Sequence, residues 1–363
     1  MAVDVSKIML DVAKNTPDML KFGYLTNFFK TKAGDISEAE EIEFDIERSD
    51  EDIAPVLSKL GTGGHVISRE VYTNKKIVPP AFCLQEPFNA YDLAKRQAGE
   101  TVYEAGKNLS GKLAAKIMES WMTMTNMIKR TMEVQASQIL QDGIITLYNG
   151  NNVAAYTLDY KMKGTHKATT SVSWSSGSAD VLGDIEAMLD VVRDDGLVDC
   201  TRVIMGKTAF KNALNNTKFS DLFKKDQFNL GMLNPVSGGL GEKYQGFVNI
   251  GSYRVEIYTY NATYVDMSGT KQNFINDNYV IFLPDDSALD FRKCFGAIPS
   301  IMPVDPRFAQ YLPGRVTVSG AIDFKPRIFG DEKSETLFTE IKSRPILIPR
   351  SIDRFARLNT VAG

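Results

Sequence analysis

The stretch from Asn126 to Tyr160, NMIKRTMEVQASQILQDGIITLYNGNNVAAYTLDY, decides the fold. It reads as the end of a long helix, a stop and a hairpin. Before and within it, apolar side chains recur at Leu109, Leu113, Ile117, Trp121, Met124, Ile128, Met132, Ala136 and Ile139. Steps of three and four place them on one face of an α-helix. Gly143 follows the last periodic residue, where a left-handed cap is expected. A helix from Asn108 to Asp142 would span about 50 Å at about 1.5 Å per residue. The stripe is single, heptads are not sustained and a hairpin follows at once, which argues against a coiled coil. A core helix of a large enzyme is the plain reading. A long lone helix across a sheet also suits a thin, plate-like subunit that builds something larger.

Further patterns follow in a definite order. Arg130 and Glu133 form an Arg-x-x-Glu element within the helix. YTYNATYVDMSGTKQNFINDNYVIFLP, Tyr258 to Pro284, reads as strand, turn, strand with Gly269 at the turn. In ETLFTEIKSRPILIPRSIDRFARLNTV, Glu335 to Val361, a Pro-Ile-Leu-Ile-Pro strand at Pro345 to Pro349 precedes an Asp-x-Phe tail at Asp353 to Phe355. In order, spacing and local pattern, the chain from about Phe22 onward resembles the lambda-like family of tailed-phage major capsid proteins. No single motif is specific; their succession carries the resemblance. It implies an α+β chain with the Hong Kong-type phage capsid fold. Residues 1–55 would be an N-terminal arm and 56–88 an extended loop. Residues 89–179 and 301–363 would form the peripheral domain with its spine helix, and 180–300 the axial domain.

The 363 residues suffice for a large core, and the hydrophobic content of 43% is ordinary for a folded chain. Twenty Phe and fourteen Tyr supply wide packing surfaces for a core or for subunit contacts. A net charge of −3 excludes bulk electrostatic binding of nucleic acid. A shell protein needs only one face toward DNA. No segment approaches the roughly 20 apolar residues of a membrane helix. The N-terminus lacks the basic start and apolar run of a signal peptide; Val5, Ile8, Met9 and Val12 mark a short amphipathic helix instead. Cys83, Cys200 and Cys294 are odd in number and far apart, which argues against a disulfide framework and makes each a small buried residue.

Residues 38–52 are acidic, with Ile42, Phe44 and Ile46 alternating, a strand pattern whose charges guard an edge. Ser58 to Phe82 opens on glycines at 61, 63 and 64 and nearly closes on Pro79 and Pro80. Neither of its alternating faces is consistently apolar, so a two-stranded ribbon here needs something to lie on. The family resemblance implies an adjacent subunit. Gly64, Arg69, Tyr72, Lys75, Lys76 and Ile77 are its candidate contact residues. Asp180 to Gly196 reads as an amphipathic helix, Thr201 to Gly206 as a buried strand and Lys207 to Asn216 as a second helix. Asn234 to Gly246 reads as a loop.

Signs of an enzyme are missing. His65 and His166 lie in loop-like settings with no partner at metal-ligand spacing. GTGGHV and GGLGEKYQG lack the Lys-Ser/Thr and helix of a phosphate loop. Acid pairs at Asp194 and Asp195 and at Asp285 and Asp286 read as solvated turns. The sequence therefore gives no reason to expect an enzyme, a cofactor or a metal. Asn74, Lys75 and Lys76 would suit an isopeptide cross-link known from some capsids of this fold, although lysine on an edge ribbon ordinarily serves solubility.

The resemblance implies a protein that assembles into the icosahedral head of a tailed phage around double-stranded DNA. Its partners would be its own copies in hexamers and pentamers, a portal, a scaffold and a cement protein, with packaged DNA bound nonspecifically and no membrane. It would assemble in the host cytoplasm and reside in the virion capsid. Ile117, Trp121, Ile128 and Met132 would pack the spine helix. Lys107, Lys112, Lys116, Lys129 and Arg130, off the apolar stripe, are candidates for the DNA side, and a solvated helix face is their plain reading. An encapsulin-type nanocompartment shell and a cytosolic α/β enzyme are the alternatives.

Overall fold

The structure, a computed structural model, describes residues 22–32, 34–37, 41–47, 72–89, 109–230, 236–237, 241–298, 323–331 and 336–362. Along the chain come strands β1 (Ile42–Glu47), β2 (Tyr72–Ile77) and β3 (Phe82–Phe88), then helix α1 (Leu109–Asp142). A hairpin, β4 (Ile144–Tyr148) and β5 (Ala154–Asp159), leads to β6 (Lys167–Thr169), α2 (Val181–Gly196), β7 (Cys200–Met205), α3 (Lys207–Asn215) and α4 (Thr217–Leu230). Next are β8 (Val236–Ser237), β9 (Glu242–Ile250), β10 (Tyr253–Tyr260), β11 (Thr263–Val265), β12 (Lys271–Asn273), β13 (Tyr279–Pro284) and β14 (Phe291–Phe295). The chain ends with β15 (Lys325–Asp331), β16 (Thr336–Ser343), β17 (Pro345–Pro349) and β18 (Ala356–Asn359).

Helix α1 runs 34 residues and stops where the sequence predicts. Gly143 takes φ +68° and its N–H reaches the Ile139 carbonyl at 2.9 Å. A side chain there would also collide with Met162, 2.6 Å from an added Cβ, so glycine is required twice over. Cations close this helix end. Arg357 donates to the Gln141 carbonyl and to the Asp142 carboxylate, and Lys167 approaches the Asp142 carbonyl.

The apolar stripe of α1 serves two cores. Ile117, Trp121, Met124 and Ile128 pack with Phe88 and Ile341 over the sheet of order β15-β16-β3. About two turns on, Ala136, Ile139 and Leu140 join the main core with Ile145 of the hairpin and Ile346, Leu347 and Ile348 of β17. Burying each large aliphatic side chain stabilises the fold by about 1.5–3 kcal/mol. One helix thus contributes side chains to two separate cores.

The largest sheet has seven strands in the order β6-β18-β13-β7-β10-β9-β8. Helices α2 and α3 pack on it through Ile185, Leu189, Val192 and Ala209 against Val203, Val248 and Val280. Its strands β7, β8, β9, β10 and β13 come from residues 180–300. Strands β6 and β18 come from the stretches assigned to the peripheral unit, and β18 pairs with β13. Such closure by a distant strand leaves no local sequence pattern.

Two polar readings change. His166 is fully buried rather than in an open loop. Its Nδ1 faces the Phe355 carbonyl at 2.7 Å and its Nε2 faces the Asp195 carboxylate at 2.9 Å. Asp195 also receives Lys163 at 2.9 Å, and that hydrogen bond first of all lowers the carboxyl below its ordinary value. The acid pairs are therefore not simply solvated: Asp195 ties α2 to the hairpin exit, and Asp286 pairs with Arg202 at 2.8 Å. Cys83 is exposed, unlike Cys200 and Cys294, because it lies on the outer face of β3. All three are free thiols.

Candidate assembly site

The C-terminal half of α1 holds an acid that an amphipathic plot would place in error. Glu133 is fully buried. Its two oxygens accept hydrogen bonds from the Leu25 and Thr26 backbone N–H groups, both at 2.9 Å. The Thr26 hydroxyl adds a third at 2.5 Å and the Tyr260 hydroxyl a fourth at 2.6 Å. A buried carboxylate is tolerated when donors satisfy it in this way. Burial, reinforced by Glu133, pushes the Tyr260 phenol well above its ordinary value, so it stays a donor. The acid thus captures a turn of the N-terminal segment on the spine helix.

Aromatic contacts extend that capture. The Arg130 guanidinium stands 4.9 Å over the Phe22 ring and Arg202 stands 5.1 Å over Phe28. Phe29 stacks on Phe291 at 4.8 Å. Beyond the turn the chain runs beside β14 as an added strand. Lys30 bridges Arg292 and Ile36 bridges Phe295, both in parallel sense. Asp290 gathers Lys32, Arg292 and Arg350 within 3.2 Å.

The expected ribbon forms from a different pair of segments. Strand β2 pairs antiparallel with β1, in register from Ile42 with Ile77 to Glu47 with Tyr72. The strand pair therefore joins residues assigned to the arm with residues assigned to the loop. Its base is apolar toward this subunit's own body: Ile42, Phe44 and Ile77 are buried in the main core, and Phe44 meets Tyr160 edge-on at 6.2 Å. Ile77 is thus a core residue of its own chain, not a contact for a neighbour. Lys76 is exposed and pairs with Glu43 at 2.6 Å. Tyr72 and Lys75 lie on β2. Gly64, Arg69 and Lys107 lie outside the described residues, as do His65 and the helix expected near Val5.

On α1, Ile117, Trp121, Ile128 and Met132 are all buried, Ile128 to 1% exposure. Lys129 is exposed, Lys116 half-buried, and Lys112 lies in the first turn of the helix. Arg130 is committed to Phe22. Sequence reading singled out Glu133 in a motif without finding its role. The signal available was a set of polar residues, Glu133, Gln135, Ser137 and Gln141, all on positions that the structure buries. Among the described residues no His, Cys, Asp and Glu group could hold a metal, and no helix is long and apolar enough to cross a membrane.

The sequence profile described as phage major capsid protein E matches residues 10–360. The chain belongs to this family. It is a major capsid protein, a structural component of a bacteriophage's icosahedral capsid. No curated protein matches it. A prophage capsid protein from E. coli CFT073 superposes with a TM-score of 0.63 at 16% identity, over 99% of each chain. The capsid of Ralstonia phage GP4 gives 0.46 at 9% identity, over 93% of this chain and 87% of that one. The SrpI encapsulin of Synechococcus elongatus PCC 7942 gives 0.42 at 12% identity, over 93% and 87%. The capsid protein has the Hong Kong-type fold expected from its sequence.

Proposed function

We propose that this capsid protein forms hexamers and pentamers that close into the head of a tailed phage around double-stranded DNA. The family match across residues 10–360 carries this reading. Helix α1 acts as the beam, the seven-stranded sheet gathers at the symmetry axes, and the β1–β2 ribbon reaches the neighbouring subunit. Many modest contacts of this kind sum to a stable shell. The role is one of shape and self-association without catalysis. Assembly takes place in the host cytoplasm, with a portal and a scaffold, and a cement protein as a further partner. DNA meets the inner face nonspecifically through cations such as Lys129, so its retention falls steeply with salt.

Size-exclusion chromatography and electron microscopy of the expressed chain test the proposal. Capsomers or closed shells are expected. A monomer that never assembles at any concentration or salt would refute it. Shells that retain a protein cargo but never nucleic acid would point to a nanocompartment.

A further inference from the structure

Both legs of the β1–β2 ribbon hang on one short post. Before β1, the Ser37 N–H donates to the Phe295 carbonyl at 2.9 Å, and the Phe295 N–H donates to Asp35 at 2.9 Å. After β2, buried Pro79 lies against Gly296, whose added Cβ would come 2.9 Å from the proline ring. Arg344 closes the arrangement. Its Nη1 donates to the Ala297 carbonyl at 2.9 Å and its Nη2 to the Pro79 carbonyl at 3.1 Å. The Gly296 N–H returns a bond to the Arg344 carbonyl at 2.9 Å. That bond adds one rung beyond the β14–β17 ladder, which ends with Phe295 opposite Pro345. The post is therefore part of a sheet, not a loop.

We propose that Arg344 and Gly296 form the joint that fixes where the ribbon leaves the body, and so act as positioning residues for shell closure. A planar fork holds the two carbonyls from separate segments at a fixed angle; a lysine ammonium, a point charge with rotatable donors on a flexible stem, fixes no such angle. Only glycine lets the Pro79 ring close on the post. Ile77 and Phe44 bury the ribbon's base, but apolar burial is non-directional. The two directed bonds of Arg344 supply the angle. A subunit whose ribbon leaves at a variable angle meets its neighbours at variable curvature. This inference rests on the ribbon acting as the clasp between subunits.

The test uses the full chain with Arg344→Lys, Arg344→Gln and Gly296→Ala. Amide exchange in β1 and β2 is expected to speed by about tenfold or more, while exchange in α1 and β7 stays as in the parent. Assembly is expected to yield open sheets or shells of mixed diameter in place of one closed size. Unchanged exchange in β1 and β2 would overturn the joint. Faster exchange with shells of one unchanged diameter would overturn its role in closure. If Gly296→Ala fails to fold, Arg344→Lys decides, since it keeps the positive charge and the aliphatic stem and removes only the planar fork. A control in which the ribbon beyond its legs is removed separates the two readings. If that control still closes shells, the ribbon is no clasp, whatever the joint does.

Discussion

Glu133, in the C-terminal half of the spine helix, accepts a hydrogen bond from the Tyr260 hydroxyl at 2.6 Å across 127 residues of sequence. The same carboxylate holds Leu25 and Thr26, so helix, β10 and N-terminal segment meet at one acid. Removing it leaves several buried donors without an acceptor, each costing about 1–3 kcal/mol. Glu133→Ala is expected to lower unfolding free energy by about 3–5 kcal/mol, and Tyr260→Phe by about 1–1.5 kcal/mol. Urea melts of the two variants measure this. In Glu133→Ala the amides of Leu25 and Thr26 should also lose their exchange protection. Equal, small effects from both changes would show that the carboxylate does not organise the junction.

A charge on the apolar stripe should be worse. Ile128 is 1% exposed and packs with Phe88 and Ile341. Ile128→Asp places an unpaired carboxylate in that core at a cost of several kcal/mol. Insoluble or unassembled protein is expected. Ile128→Val, which removes one methylene, should cost about 0.5–1.5 kcal/mol and leave assembly intact. Soluble, shell-forming Ile128→Asp would mean that this face of α1 is not packed.

Much of this was legible in the chain. The period of α1, Gly143 at its stop and the hairpin beyond it are local signals, and the helix begins one residue from its expected start. Gly269, at φ +81°, also sits at the expected turn. What stayed hidden depends on pairing at long range. The alternation of Ile42, Phe44 and Ile46 announces a strand but not its partner, Tyr72–Ile77. Ile77 looks like a loop contact until Ile42 appears opposite it in the core. Gly196 ends α2, yet the left-handed cap falls on Leu197 at φ +53°. Gly196 is small for another reason: an added Cβ would come 2.6 Å from the Asp353 carbonyl. Glu133 fails as a surface residue because its donors come from segments more than a hundred residues away.

Acid should release the N-terminal segment from β14. Burial alone would raise the Asp290 carboxyl, but hydrogen bonds from Arg292 and Lys32 outweigh it and hold it below its ordinary value. A carboxyl lowered by folding stabilises the structure above its unfolded value of about 3.9. That contribution is lost as pH falls through the lower, folded value. Exchange protection at Lys30 and Lys293, whose backbones bond across this seam, should therefore fall in acid before α2 opens. Asp290→Asn should weaken the seam already at neutral pH and remove most of its acid dependence. Acid sensitivity that survives this change would assign the effect to another carboxyl.

The ribbon can be shortened without touching its base. Glu47 pairs with Tyr72 at the last described rung, so a two-residue Asn-Gly turn would close the hairpin directly. Replacing Arg48 to Val71 by Asn-Gly keeps Ile42, Phe44 and Ile77, the residues that the ribbon contributes to the core. It also keeps the Lys76–Glu43 pair and the hold of Arg344 on Pro79. The melting temperature of the shortened subunit should thus lie close to that of the parent. A two-residue connection also costs less closure entropy than a longer one. Under the proposed function, residues 48–71 carry the contact with a neighbour, so shells, by contrast, should fail to form. Calorimetry of the subunit and particle counts by electron microscopy read the two effects separately. A large fall in melting temperature would mean that residues 48–71 belong to the subunit's own core. Normal shells from a stable, shortened subunit would mean that assembly is held by other surfaces, with the N-terminal segment around Glu133 the next to cut.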